Sequence, residues 1–125
     1  MVRFPTQRKA VLDVLAVASR QFTIHGLIEI DVTEARRRLR RSQSGSSFTA
    51  FVVATVARAV GEHPQVNARR VGRRLLLFDD VDAVVTVERP LDGIPTPLPT
   101  VLRQVGTRSV LDIAEDIRAA RQRPV

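Results

Sequence analysis

Between Thr6 and Arg20 the apolar residues Val11, Leu12, Leu15 and Ala18 recur at helical spacing, with Pro5 just before them. The period then changes. From Gln21 to Asp31 the strand formers Phe22, Ile24, Leu27, Ile28 and Ile30 predict a strand, with Gly26 interrupting it as a bulge. Asp31-Val-Thr-Glu34 has the spacing of a capping box, so a short helix is expected to open there and run to Arg41. Val32, Ala35 and Leu39 form its inward face, and its arginines face out. The polar run Ser42 to Ser46 reads as a loop.

The next helix, Ser47 to Glu62, is apolar almost all round. Phe48, Phe51, Val52, Val56 and Val60 lie on one face, and Ala50, Val53, Ala54 and Ala57 on most of the other. Only Arg58 and the Glu62 end are plainly polar, which predicts a helix covered on nearly all sides with Val56 in the core. It stops at His63-Pro64. A hairpin is expected next, Ala68–Val71 turning at Gly72 into Arg74–Phe78. Val81 to Glu88 alternates as a strand, and the four prolines between Pro90 and Pro99 predict an extended, irregular connection. Ser109 opens a last helix with Val110, Ile113, Ala114 and Ile117 as its stripe. The pattern is that of one layered α/β domain.

With 125 residues, five Phe and no Trp or Tyr, the core must be built of Val, Leu, Ile and Ala. The absence of cysteine removes disulfides, thiolate nucleophiles and Cys-ligated metals, and no other metal-ligand spacing is present. No apolar run approaches a membrane span, and the N-terminus has no signal-peptide core, so a soluble cytoplasmic protein is expected. The net charge of +7 comes from 19 Arg and one Lys and favours anionic partners. Nucleic acid fits poorly, because no stacking aromatics lie between the charges.

Several stretches, in order, resemble a known family. Arg8-Lys-Ala-Val-Leu-Asp-Val-Leu-Ala-Val-Ala-Ser19 looks like its arginine-led opening helix, and Glu29-Ile-Asp-Val-Thr33 like the turn after its first strand. Ser47 through Asn67 is similar to its central helix, which ends in Pro-x-x-Asn, here Pro64-Gln-Val-Asn67. Val81–Val87, the turn at Gly93 to Pro95, and Ser109 to Ile117 follow in the family's order. The chain thus resembles the N-terminal half of the catalytic domain of dihydrolipoamide acyltransferases, the core of 2-oxo acid dehydrogenase complexes. The resemblance implies a truncated chloramphenicol acetyltransferase-like two-layer fold over residues 1–125, with a mixed sheet and a central buried helix. It also implies a trimeric homo-oligomer, or a partner chain carrying the missing half, and a coenzyme A or acyl-CoA substrate with no covalently bound cofactor. An acyl carrier or lipoyl protein would be a further partner.

The family's chemistry needs a His-x-x-x-Asp-Gly base and a Ser or Thr oxyanion donor from its second half. Here Asp92-Gly93 has Glu88, not histidine, four residues earlier, so the usual site is absent. Two histidines remain. His25 is a candidate base on the expected strand, against the plainer reading of a strand histidine; His63 sits where a helix C-terminus favours it. Asn67 is expected to tie its loop through both amide ends. Arg36, Arg37, Arg69 and Arg70 are candidates for holding the phosphates of coenzyme A or an acidic carrier, a solvated charged surface being the ordinary alternative. Three functions fit: acyl transfer completed by a partner or a rebuilt interface site, a stand-alone biosynthetic enzyme of natural-product metabolism, or a non-catalytic oligomerisation module.

Overall fold

A computed structural model describes residues 6–20, 25–42, 47–91 and 93–123, which divide into two units, Met1–Asp31 and Val32–Val125. In the first unit, helix α1 (Thr6–Ala18) forms as its spacing predicts. Its apolar residues Val11, Leu12, Val14, Leu15 and Val17 are all more than half exposed. The strand expected after it is not formed at residues 25–31, where Leu27 is fully exposed and Ile28 and Ile30 largely so. Phe22 and Ile24 lie outside the described residues. A strand is completed by hydrogen bonds to a neighbour, and among the described residues of this unit no strand is available to 25–31.

The second unit opens with α2 (Thr33–Arg41). The expected capping box does not close: Val32 is the N-cap, and Glu34 turns instead to Arg37 and Arg38. Val32, Ala35 and Leu39 are half-buried, as their spacing predicts. Residues 43–46 of the expected loop lie outside the described residues.

Helix α3 (Phe48–Glu62) starts at Ser47, whose hydroxyl accepts the Ala50 N–H at 3.1 Å. Its buried face is a line of small residues, Ala50, Ala54 and Ala57, each at most 3% exposed. Val56 is 57% exposed and Val52 41%, so the all-round burial expected of this helix is not met within the unit. Apolar composition cannot say which side of an apolar helix has a neighbour, and here α4 (Val110–Gln122) and the 3₁₀ turn Val105–Thr107 lie against α3, whose alanines are buried and whose Val53 is partly covered, while Val52 and Val56 stay exposed. Gly106 sits under α3 and Val81: a Cβ there would come within 3.4 Å of the Val81 side chain and 3.7 Å of the Ala57 carbonyl.

Strands β1 (Ala68–Val71) and β2 (Arg74–Leu77) pair as the predicted hairpin, with Gly72 at φ +59° in its turn. The prolines, by contrast, do not make an irregular connection. Strands β3 (Ala83–Leu91) and β4 (Ile94–Leu102) form one antiparallel ladder, with Glu88 opposite Pro97 and Thr86 opposite Pro99. Pro95, Pro97 and Pro99 alternate, so all three point their missing N–H away from β3, and none removes a ladder bond. The mixed sheet expected from the family is thus replaced, among the described residues, by two antiparallel pairs in a mixed α/β unit.

Val85 and Val87 of β3, Leu102, Val105 and the α4 residues Ile113, Ala114, Ile117 and Ala120 complete the core around the α3 alanines. Helix α4 begins with a closed capping box: the Ser109 hydroxyl accepts the Asp112 N–H at 3.1 Å, and the Asp112 carboxylate accepts the Ser109 N–H at 3.3 Å. Ser109→Ala should therefore lower stability by about 1 kcal/mol, read as a shifted urea midpoint at unchanged m-value. No helix among the described residues is long and apolar enough to cross a membrane.

Candidate functional site

Helix α2 and the start of α3 frame a groove with an apolar floor and a cationic rim. Phe48 and Phe51 stack with ring centroids 6.2 Å apart. The Arg36 guanidinium lies 4.4 Å over the Phe48 ring, a cation–π contact that fixes both side chains. One hollow of about 450 Å³ is lined by Ala35, Leu39 and Phe51 with Arg38 and Glu34, and a second of about 230 Å³ by Leu39 and Phe48 with Arg36 and Arg40. Arg37 pairs with Glu34, which also accepts Arg38 Nε at 3.0 Å. The arrangement suits an anionic group carrying an apolar portion.

The other predicted arginines sit on β1. Arg70 donates through Nε to the Gly72 carbonyl at 2.9 Å and so braces the hairpin turn, while Arg69 is exposed. Neither lines the α2–α3 hollows. His25 belongs to the Met1–Asp31 unit, exposed in its irregular segment. His63 is the C-cap residue of α3, as its position before proline predicts. Arg38 and Arg40 belong to the arginine run 36–41 that the sequence offers for anion binding, whereas Phe48 and Phe51 carry no ligand-facing signal of their own in it. Only the spacing shows: Arg36 and Arg40 share a helix face, and Phe48 and Phe51 follow on one turn.

A third hollow, about 360 Å³, lies between the end of α3 and the hairpin, lined by Val60, Pro64, Asn67, Phe78 and Val81 among others. Asn67 holds it open through its amide nitrogen, which donates to the carbonyls of Asp80 at 2.9 Å and Phe78 at 3.4 Å, rather than through both amide ends. Its backbone adds two bonds, N–H to the Pro64 carbonyl and C=O from the Phe78 N–H, each 3.0 Å. Beyond it, Asp82 accepts the Gln104 N–H at 2.9 Å and Arg103 Nη1 at 2.5 Å, and Gln104, at φ +51°, donates its amide to Asp80 at 3.2 Å. These contacts anchor loops. Glu88 stands exposed on β3, and Asp92, of the lone Asp-Gly pair, lies outside the described residues. Among the described residues no group of three or more His, Asp or Glu side chains is placed to hold a metal ion.

The Gln104 N–H, and after it Arg103, holds the Asp82 carboxyl below its ordinary value near 3.8. Its contribution to stability is therefore whole at neutral pH and is lost as the pH falls from about 4 through the lowered native pKa. In thermal melts from pH 7 to pH 2, the wild type should be more stable than Asp82→Asn at neutral pH, and the gap should close below pH ~4.

Among known protein families, the model for 2-oxoacid dehydrogenases acyltransferase (catalytic domain) matches residues 4–124. No curated protein gives a significant match.

Proposed function

Because the chain belongs to the 2-oxoacid dehydrogenase acyltransferase family over residues 4–124, we propose that it serves acyl transfer on coenzyme A-, lipoyl- or carrier-linked thioesters, on a chloramphenicol acetyltransferase-like scaffold. The base and the oxyanion donor come from outside these 125 residues, from a partner chain or a site built at an interface between protomers. One observation carries this reading: the family match spans residues 4–124, yet these residues hold no His-x-x-x-Asp-Gly.

Transfer requires a base to take the acceptor proton and the acceptor atom to attack the thioester carbonyl. The resulting oxyanion must be held until the carbon–sulfur bond breaks and the leaving thiolate takes up a proton. This chain's share is recognition. Arg69 and Arg70 on β1, and Arg36 and Arg37 on α2, supply guanidinium donors for phosphate oxygens, and the α2–α3 groove adds apolar surface beside Arg38 and Arg40. His25 is the remaining candidate base within the chain, exposed to solvent.

Calorimetric titration with acetyl-CoA tests the recognition. Saturable binding should weaken as salt is raised, and the Arg36→Gln/Arg37→Gln and Arg69→Gln/Arg70→Gln pairs should each weaken it several-fold while the cooperative thermal transition is kept. No saturable binding of acetyl-CoA at millimolar ligand would remove the recognition role.

A further inference from the structure

The two outer edges of the β3–β4 ladder are unlike. On β4 the outward positions are Pro95, Pro97, Pro99 and Val101, and three of those four have no N–H to offer a neighbour. Alternating proline closes that edge, one of the devices by which sheets avoid adding strands. On β3 the same ladder parity turns the N–H and C=O of Val84, Thr86 and Glu88 outward. No further strand lies beside them among the described residues, and all three residues are exposed. No bulge or lysine guards them, and the charge that β3 turns toward the core, Arg89 with its buried Nε, lies at the far end of the row next to Pro90. The row ends at Pro90, which lacks an N–H. The open stretch is therefore short, bounded, and centred on one residue.

We propose that this edge binds the same edge of a second copy of the chain, antiparallel, about a twofold axis through Thr86. A row of this kind is its own complement. Thr86 faces Thr86 of the second copy, Val84 faces its Glu88, and Glu88 faces its Val84, so each outward N–H meets an outward C=O. The side chains agree with this register. Glu88 meets Val84 and not the other Glu88, which stands four residues along the strand, so no like charges are opposed. Val84 and Thr86 are β-branched, and Val84 is 67% exposed before pairing. The result is a four-stranded sheet, β4-β3-β3-β4, closed at both ends by the proline edges. A closed pair follows, not a fibre. The proposal does not depend on the acyl-transfer reading.

The chain has no cysteine, so a single introduced thiol reports the register. In a hydrogen-bonded antiparallel pair, facing Cα atoms are about 5.5 Å apart, inside the range a disulfide spans. Thr86→Cys should cross-link to a covalent dimer under mild oxidation at micromolar protein. Val84→Cys should cross-link at least tenfold more slowly, because its counterpart in the second copy lies about 14 Å along the strand. Thr86→Pro removes an N–H that points away from β4. It should keep the helical circular-dichroism signal but weaken dimerisation in sedimentation at least tenfold, whereas Val101→Pro, on the closed edge, should not. A wild type that sediments as a monomer up to 100 μM (roughly the range of weak dimers), equal cross-linking at both cysteines, or unaltered dimerisation of Thr86→Pro would each overturn the proposal.

Discussion

Ala54→Asp should abolish the cooperative thermal transition, and Val56→Asp, two residues along the same helix, should leave it within a few degrees. Ala54 is 1% exposed on the α3 face that meets α4 and the Val105–Thr107 turn. An aspartate there must place a carboxylate, or a protonated acid, among Val85, Val87, Val105 and Ile113 with no partner. The larger side chain also forces apart helices that the alanine lets approach closely. Burying a charge without a partner and overpacking add in the same direction, a cost of roughly 4 kcal/mol or more. That is most of the stability of a marginal domain of this size. Val56 is 57% exposed, so an aspartate at that position keeps its water, and surface changes of this kind move stability by about 0.5 kcal/mol. Soluble expression followed by a thermal melt separates the two variants. Equal loss in both would mean that the outer face of α3 is covered by a neighbour, as its apolar composition predicts.

Much of the fold could be read from the chain because local signals and packing agree there. The α4 stripe, the Ser109 cap, the Gly72 hairpin and the Ser47 start of α3 all lie where the spacing of their residues puts them. Two readings failed for the same physical reason, which is that they concern neighbours and not local pattern. The apolar sweep of α3 predicts cover on every side, but in the Val32–Val125 unit the alanine line is buried, Val53 is partly covered, and Val52 and Val56 are exposed. Residues 25–31 have strand composition but pair with no strand among the described residues of their own unit. The proline run failed differently: counting prolines suggested irregularity, whereas their alternate spacing is what a strand with one closed edge requires.

The site was less legible than the fold. Sequence clustering marks the arginine run 36–41, but not that Arg38 with Phe51 lines one hollow beside α2 and Arg36 and Arg40 with Phe48 the other. Arg70 gives its Nε to its own hairpin, bonding the Gly72 carbonyl, which sequence clustering does not show. Clustering along the chain records charge density; which guanidinium faces a hollow is decided by helix phase and by which carboxylates intervene, as Glu34 does for Arg37 and Arg38.

The second large effect concerns turnover. A positioned base contributes roughly 10²–10⁴-fold and an oxyanion donor about 10²–10³-fold. A chain supplying neither of the family's two groups should fall short of a complete acyltransferase by the product of those factors. His25 is the one candidate base the chain itself carries, so any residual transfer to another acceptor should disappear in His25→Ala while the melting curve stays unchanged. The direct test is thiol release from acetyl-CoA in the presence of dihydrolipoamide, with purified wild type and His25→Ala side by side. If the chemistry is completed from outside these 125 residues, both proteins alone stay at the uncatalysed rate. Robust acetylation of dihydrolipoamide by the wild-type chain alone would contradict it.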